Sequence, residues 1–117
     1  AAGEPLIHKH FNSAFEESEL EELLARMGAT HIVLAGALTN WCIRATAYAA
    51  LERGYDLTLV EDAHTTDTAE LESGVRIEAA AVVADLNNAM TWLRYPGRRN
   101  GVAKAEEVDF ATPGGSA

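Results

Sequence analysis

His31-Ile32-Val33-Leu34-Ala35-Gly36-Ala37-Leu38-Thr39-Asn40-Trp41-Cys42 is the stretch whose pattern sets the fold. From Ile32 to Gly36 it is apolar without alternation, as a strand covered on both faces should be, which predicts a place in the middle of a sheet. Thr39 and Asn40 are both good helix-capping residues. From Trp41 the chain turns alanine-rich and helical as far as Arg53, with Gly54 as the stop. Strand, tight turn and helix therefore meet around Leu38 to Cys42.

The same alternation extends outward in both directions. Upstream, Pro5 to Lys9 is a short strand candidate, followed by a polar loop through Asn12, Ser13 and Phe15. Ser18-Glu19-Leu20-Glu21 has the form of a capping box, so a helix is expected from there. Leu20, Leu23, Leu24 and Met27 make one apolar stripe at helical spacing, and Gly28 suits the left-handed position that ends such a helix. Downstream, Asp56 to Glu61 is the next strand, leading into a polar turn at Asp62 to Thr68. A long helix with Val82, Leu86, Ala89 and Leu93 on one face follows and closes at Pro96-Gly97. Gly101 to Ala105 is a last, weak strand. The order β-α-β-α-β-α-β, four strands and three helices, predicts an α/β fold, a three-layer α-β-α arrangement around a mainly parallel sheet.

With 117 residues the chain is one domain's worth, expected over residues 1–110, with 111–117 as a flexible tail. Nearly half is apolar (48%), but 22 residues are alanine, so the large core formers are few. Nine basic against 18 acidic residues give a formal charge of −9, which repels phosphate backbones and anionic headgroups. Neither nucleic acid nor a membrane surface is an expected partner. No apolar run approaches the roughly 20 residues that cross a bilayer, and the start lacks a basic-then-apolar leader pattern. With a single cysteine, which permits no internal disulfide, the cytoplasm is the expected compartment.

Open α/β sheets gather ligands at the carboxyl ends of their strands. The loops after Lys9, Gly36 and Glu61 should then share one crevice, to which they bring Lys9, His10, Asn12 and Ser13; Thr39, Asn40 and Cys42; and Asp62, His64, Thr65 and Thr66. Cys42 stands just inside a helix N-terminus, where the dipole favours a thiolate, so it reads either as a nucleophile or as a small buried apolar residue. Lys9 could stabilise that thiolate by charge, or be a solvated strand-end lysine. His64 lies beside the crevice, as a pocket residue or simply a hydrogen-bonded turn histidine. His8 and His10 have no third or fourth ligand near them, so neither a metal nor a cofactor is expected.

Gly36-Ala37-Leu38-Thr39-Asn40-Trp41-Cys42-Ile43, then Thr46-Ala47 and Ala50-Leu51-Glu52-Arg53-Gly54-Tyr55, closely resembles the isochorismatase-like cysteine hydrolases. Lys9 with Ser13-Ala14-Phe15 is similar to that family's lysine and Ser-Ala-Phe, and Val60-Glu61-Asp62-Ala63 to its strand ending in Asp-Ala. The resemblance implies a Cys42 nucleophile that attacks C–N centres of small amides or carbamoyl compounds, with Lys9 as its electrostatic partner. It also implies a non-proline cis peptide at Ala37-Leu38, aiming backbone amides at an oxyanion, and a pocket near Thr39, Asn40, Trp41 and His64. Isochorismatase itself, a vinyl-ether hydrolase, lacks this cysteine, so Cys42 directs the reading to the amidase branch.

The likeness starts part-way along the family's domain. Its first two strands, and the aspartate that serves as general base, precede what is matched, so the chain is expected to represent roughly the C-terminal two-thirds. Asp62 corresponds to a different position. The resemblance then implies an open sheet edge that invites pairing, hence a homo-oligomer or a completing chain, and weak hydrolysis by this chain alone. The alternative is a catalytically incomplete relative, an oligomeric protein that binds a small ligand or serves structurally.

Overall fold

The computed structural model describes residues 4–110. The tail expected at 111–117 lies outside them. Three strands, β1 (His31–Ala37), β2 (Asp56–Thr65) and β5 (Asn100–Ala103), form a parallel sheet in the order β1-β2-β5. Helix α1 (Leu20–Met27) precedes β1, α2 (Arg44–Glu52) joins β1 to β2, and α3 (Ala79–Trp92) leads back to β5. The fold is therefore α/β with a parallel sheet and crossover helices. No helix among the described residues is long and apolar enough to cross a membrane.

The core forms where α2 and α3 meet the sheet. Leu51 of α2, Leu57 and Leu59 of β2 and Met90 of α3 are fully buried, and Leu86 nearly so. Alanines at 47, 49 and 50 let the backbone of α2 come close to the strands. Asn100 is also fully buried; its Nδ2 donates to Met90 O at 2.8 Å and Leu93 O at 2.9 Å, satisfying carbonyls at the end of α3.

Several elements depart from the sequence pattern. Pro5 to Lys9 is not a strand: the segment runs as a largely exposed loop that pairs with no described strand. Ser18 does not complete a capping box. Its Oγ donates to Ala14 O and accepts from Leu20 N at 3.3 Å, while Glu21 reaches Arg53 Nε instead, 3.4 Å away. Helix α1 buries none of its residues fully; Leu20 and Leu24 touch the core and Met27 is exposed. Gly28 ends α1 at φ +69°, a conformation side chains rarely adopt.

Strand β2 runs past Glu61 to Thr65, because its end continues to pair with Gly36 and Ala37. The long helix starts only at Ala79. Before it comes an antiparallel hairpin of β3 (Ala69–Glu70) and β4 (Arg76–Ile77), fastened by Arg76 to Glu70 and Glu78. The last strand is Asn100–Ala103, one residue earlier at its start than the sequence suggests, and a short 3₁₀ turn (Ala105–Glu107) follows it.

Candidate functional site

The site lies at the carboxyl ends of β1 and β2. Gly36 has φ +125°, and a Cβ there would sit 3.6 Å from Ile43 Cδ1, so the strand turns toward the helix on a residue without a side chain. The Ala37–Leu38 peptide that follows is cis. A π turn over Thr39–Ile43 comes next, in which Ile43 N donates to Leu38 O at 3.0 Å and Arg44 N to Thr39 O. Trp41 N donates to the same Leu38 oxygen at 3.1 Å. Such single π turns recur at functional sites.

Cys42, half-buried, rides on this turn. Its Sγ is 3.3 Å from Lys9 Nζ and 3.8 Å from Asn12 Oδ1. The Lys9 ammonium also donates to Phe11 O at 2.8 Å and Asn12 O at 3.3 Å, so its three donors are all engaged. Lys9 reaches the thiol because the loop behind it is anchored: Ala14 N donates to Thr46 Oγ1 on α2 at 2.9 Å, and Phe15 is buried under Arg53, whose guanidinium lies 4.8 Å from the ring centre. Residues 33 positions apart in sequence thus meet across the sheet edge.

Thr39 and Asn40 do not cap α2 with their side chains. Thr39, fully buried, bonds His64 Nδ1 at 2.8 Å, and Asn40 Oδ1 accepts from Thr66 Oγ1 at 2.8 Å. Both tie the turn to the end of β2. His64 is buried, with Nε2 2.7 Å from Asn87 Oδ1 on α3. Asn87 Nδ2 donates to Glu61 O at 3.2 Å, which turns its oxygen toward the ring. The imidazole therefore donates through Nε2 and accepts the Thr39 hydroxyl proton at Nδ1. Asp62 Oδ1 accepts from Ala105 N at 2.8 Å, away from Cys42.

The chain Thr39–His64–Asn87 is a buried polar network, and breaking one link strands the other partners without water. Thr39→Val and His64→Leu should each cost about 1–3 kcal/mol of stability. The double variant should cost less than the sum, since the second change finds the first partner already gone. Urea unfolding of the four proteins measures the coupling; strictly additive losses would show that the two side chains act independently.

Beside the sulfur, Asn12, Asn40, Trp41, Arg44 and Ala45 line an open cleft of about 520 Å³. A second, of about 340 Å³, lies between Asn40, Arg44, Ile77, Ala81, Val82 and Asp85. Sequence patterning singled out neither Arg44 nor Asn87. Arg44 could have been found as the residue one helical turn after Asn40; Asn87 carries no such mark, because its role depends on where α3 packs. Among the described residues no group of three His, Cys, Asp or Glu side chains could hold a metal ion.

The isochorismatase domain model matches residues 1–96. Maleamate amidohydrolase of Pseudomonas putida is 39% identical over 61 residues, 52% of this chain and 29% of that protein. Streptothricin hydrolase of Streptomyces noursei is 36% identical over 63 residues, 54% of this chain and 25% of that protein. The crystal structure of a cysteine hydrolase from Pseudomonas syringae pv. phaseolicola superposes with a TM-score of 0.83 at 20% identity, covering 92% of this chain and 48% of that one. The chain thus spans about half the length of that structure, and the matched stretches 23–40% of curated relatives. A family model matched across most of the sequence, on a fold that superposes this well, makes this chain a member of the isochorismatase family.

Proposed function

We propose that the protein is a cysteine hydrolase acting on C–N bonds of small amides or carbamoyl compounds, with Cys42 as nucleophile. The observation that carries this reading is Lys9 Nζ at 3.3 Å from Cys42 Sγ, on a turn tied down by the buried Thr39–His64 bond. An ammonium at that distance stabilises a thiolate by charge, and the thiolate is the reactive form. Maleamate amidohydrolase, among the relatives, points to the same bond type.

In this reading the sulfur attacks the carbonyl carbon and the carbonyl oxygen becomes an oxyanion. The Trp41 and Ile43 amides already donate to Leu38 O, so the oxyanion is assigned to the N–H groups of Leu38 and Cys42. The C–N bond then breaks, and the proton lost by the thiol leaves with the nitrogen as ammonia or an amine. Water attacks the thioester, releasing the acid and restoring the thiol. Neither Asp62 nor His64 is assigned the proton transfer, since one holds Ala105 N and the other is closed between Thr39 and Asn87.

Intact-mass spectrometry of the chain quenched during incubation with a panel of small primary amides tests the reading. The expected adduct is an acyl group on Cys42, discharged by hydroxylamine. Ammonia release without any acyl adduct on Cys42 would overturn it.

Association belongs to the same reading. Among the described residues β1 pairs on one side only, and Met27, Trp41 and Trp92 are more than half exposed. A segment from a second copy or a completing chain is assigned to cover such surfaces. Sedimentation at micromolar concentration should show a species heavier than 12.5 kDa; a compact monomer would contradict it.

A further inference from the structure

Asn87, His64 and Thr39 are hydrogen-bonded in one direction. On α3, Asn87 donates through Nδ2 to Glu61 O at 3.2 Å and so presents its Oδ1 to His64 Nε2, 2.7 Å away. Nε2 then carries the imidazole proton, and Nδ1 is left to accept the Thr39 hydroxyl at 2.8 Å. Reversing the Asn87 amide would set an oxygen against the Glu61 carbonyl, so the order of donors runs from α3 to the turn.

Both ends of this chain of bonds sit where the backbone needs holding. Glu61 to Ala63 have no register partner in β1 or β5, and Asn87 spans that gap by holding Glu61 O on one side and His64 on the other. Thr39 opens the π turn: its carbonyl accepts from Arg44 N while its hydroxyl is held by His64. Cys42 lies between these two anchored residues in the chain. An apolar side chain would fill the place of His64, which is 3% exposed, without the cost of desolvating an imidazole. What the imidazole adds is a direction for Thr39.

From this we infer that His64 is a positioning residue for acylation: kept by Asn87 in the tautomer protonated at Nε2, it fixes Thr39 and thereby the Leu38 and Cys42 N–H groups assigned to the oxyanion. The inference rests on the hydrolase reading for the role of Cys42 and deepens it. Lys9 is outside this network, because it reaches the sulfur from the loop that Thr46 anchors. The thiolate and the oxyanion site are therefore held by separate parts of the fold.

Two reactions of the same sulfur separate those parts. Iodoacetamide is alkylated when the thiolate displaces iodide, and no oxyanion forms. With p-nitrophenyl acetate the thiolate adds to the ester carbonyl, an oxyanion forms, and p-nitrophenolate leaves with the bonding pair to give an acetyl thioester. In the full chain, Thr39→Val and Asn87→Leu should each slow acylation by about tenfold to a hundredfold, the scale on which small misplacements act. Alkylation should stay within about twofold, and Thr39→Ser, which keeps the hydroxyl, should acylate at nearly the wild-type rate. Nitrogen NMR of the wild-type imidazole should show the proton of His64 on Nε2, a reading that needs no variant to fold. Equal loss of both reactions, loss of neither, or a wild-type proton on Nδ1 would overturn the inference.

The two readings fail separately. An acyl adduct from a primary amide, with acylation indifferent to Thr39→Val, keeps the hydrolase and removes the positioning role. Acylation by the nitrophenyl ester that depends on Thr39 and Asn87, without any amide-derived adduct, keeps the positioning role and removes the amide reading.

Discussion

Replacing Cys42 with alanine is expected to remove amide hydrolysis, by at least about 10³-fold in kcat, while leaving the fold intact. The size of the loss follows from the role: a nucleophile that forms the covalent intermediate cannot be bypassed by binding or by oxyanion stabilisation alone. The mild effect on stability follows from position. Cys42 is only half-buried, on a turn held by backbone bonds from Trp41 and Ile43 to Leu38 O, and none of these involves its side chain. Unfolding midpoints of the two proteins should therefore agree closely. Ammonia release from a primary amide by Cys42→Ala at an undiminished rate would remove the cysteine from the mechanism.

Lys9→Met is the second large effect. The ammonium stands 3.3 Å from the sulfur, and two unit charges about that far apart attract by roughly 1 kcal/mol in water and 4 kcal/mol near a protein surface. Lys9 is exposed, where such a charge pair is worth at most about 1 kcal/mol, so iodoacetamide should label Cys42 of Lys9→Met up to about fivefold more slowly at pH 7. The same nitrogen also holds the carbonyls of Phe11 and Asn12, so part of any change could come from a loosened loop. Salt separates the two. Wild-type labelling should slow as ionic strength rises and the Lys9→Met rate should not, because only the charge interaction is screened. Labelling of Lys9→Met at the wild-type rate would leave Lys9 as a tether for the loop.

Much of this arrangement was legible where local pattern and tertiary structure agree. The apolar run from Ile32 is a strand as its pattern suggests, but it stands at the edge of the described sheet with none of its residues buried, and the middle place falls to β2. The turn at Leu38 and the alanine-rich helix to Glu52 carry their meaning in sequence, and Lys9 lies beside Cys42, as the order of the loops suggests. What was not legible depended on partners. Pro5 to Lys9 has a strand-like composition, but a strand exists only where a neighbour offers its backbone. Thr39 and Asn40 are suitable capping residues by type, yet the end of β2 offers His64 and Thr66 at hydrogen-bonding distance, and those bonds take their side chains. The hairpin at residues 69–77 pairs only two residues per strand, too few to leave a periodic signal.

Strands β1 and β2 keep step from His31 opposite Asp56 as far as Leu34 opposite Leu59, and resume at Gly36 opposite His64. Between those points a single residue of β1, Ala35, faces four of β2, Val60 to Ala63. Because side chains alternate along a strand, removing one residue from Glu61 to Ala63 would swing His64 to the opposite face and unhook it from Thr39. Leu57 and Leu59, which lie before the irregularity, would keep their places in the core. This bulge is thus a joint at which residues can be inserted or deleted, re-aiming the turn that carries Cys42 while the first half of the strand keeps its alignment.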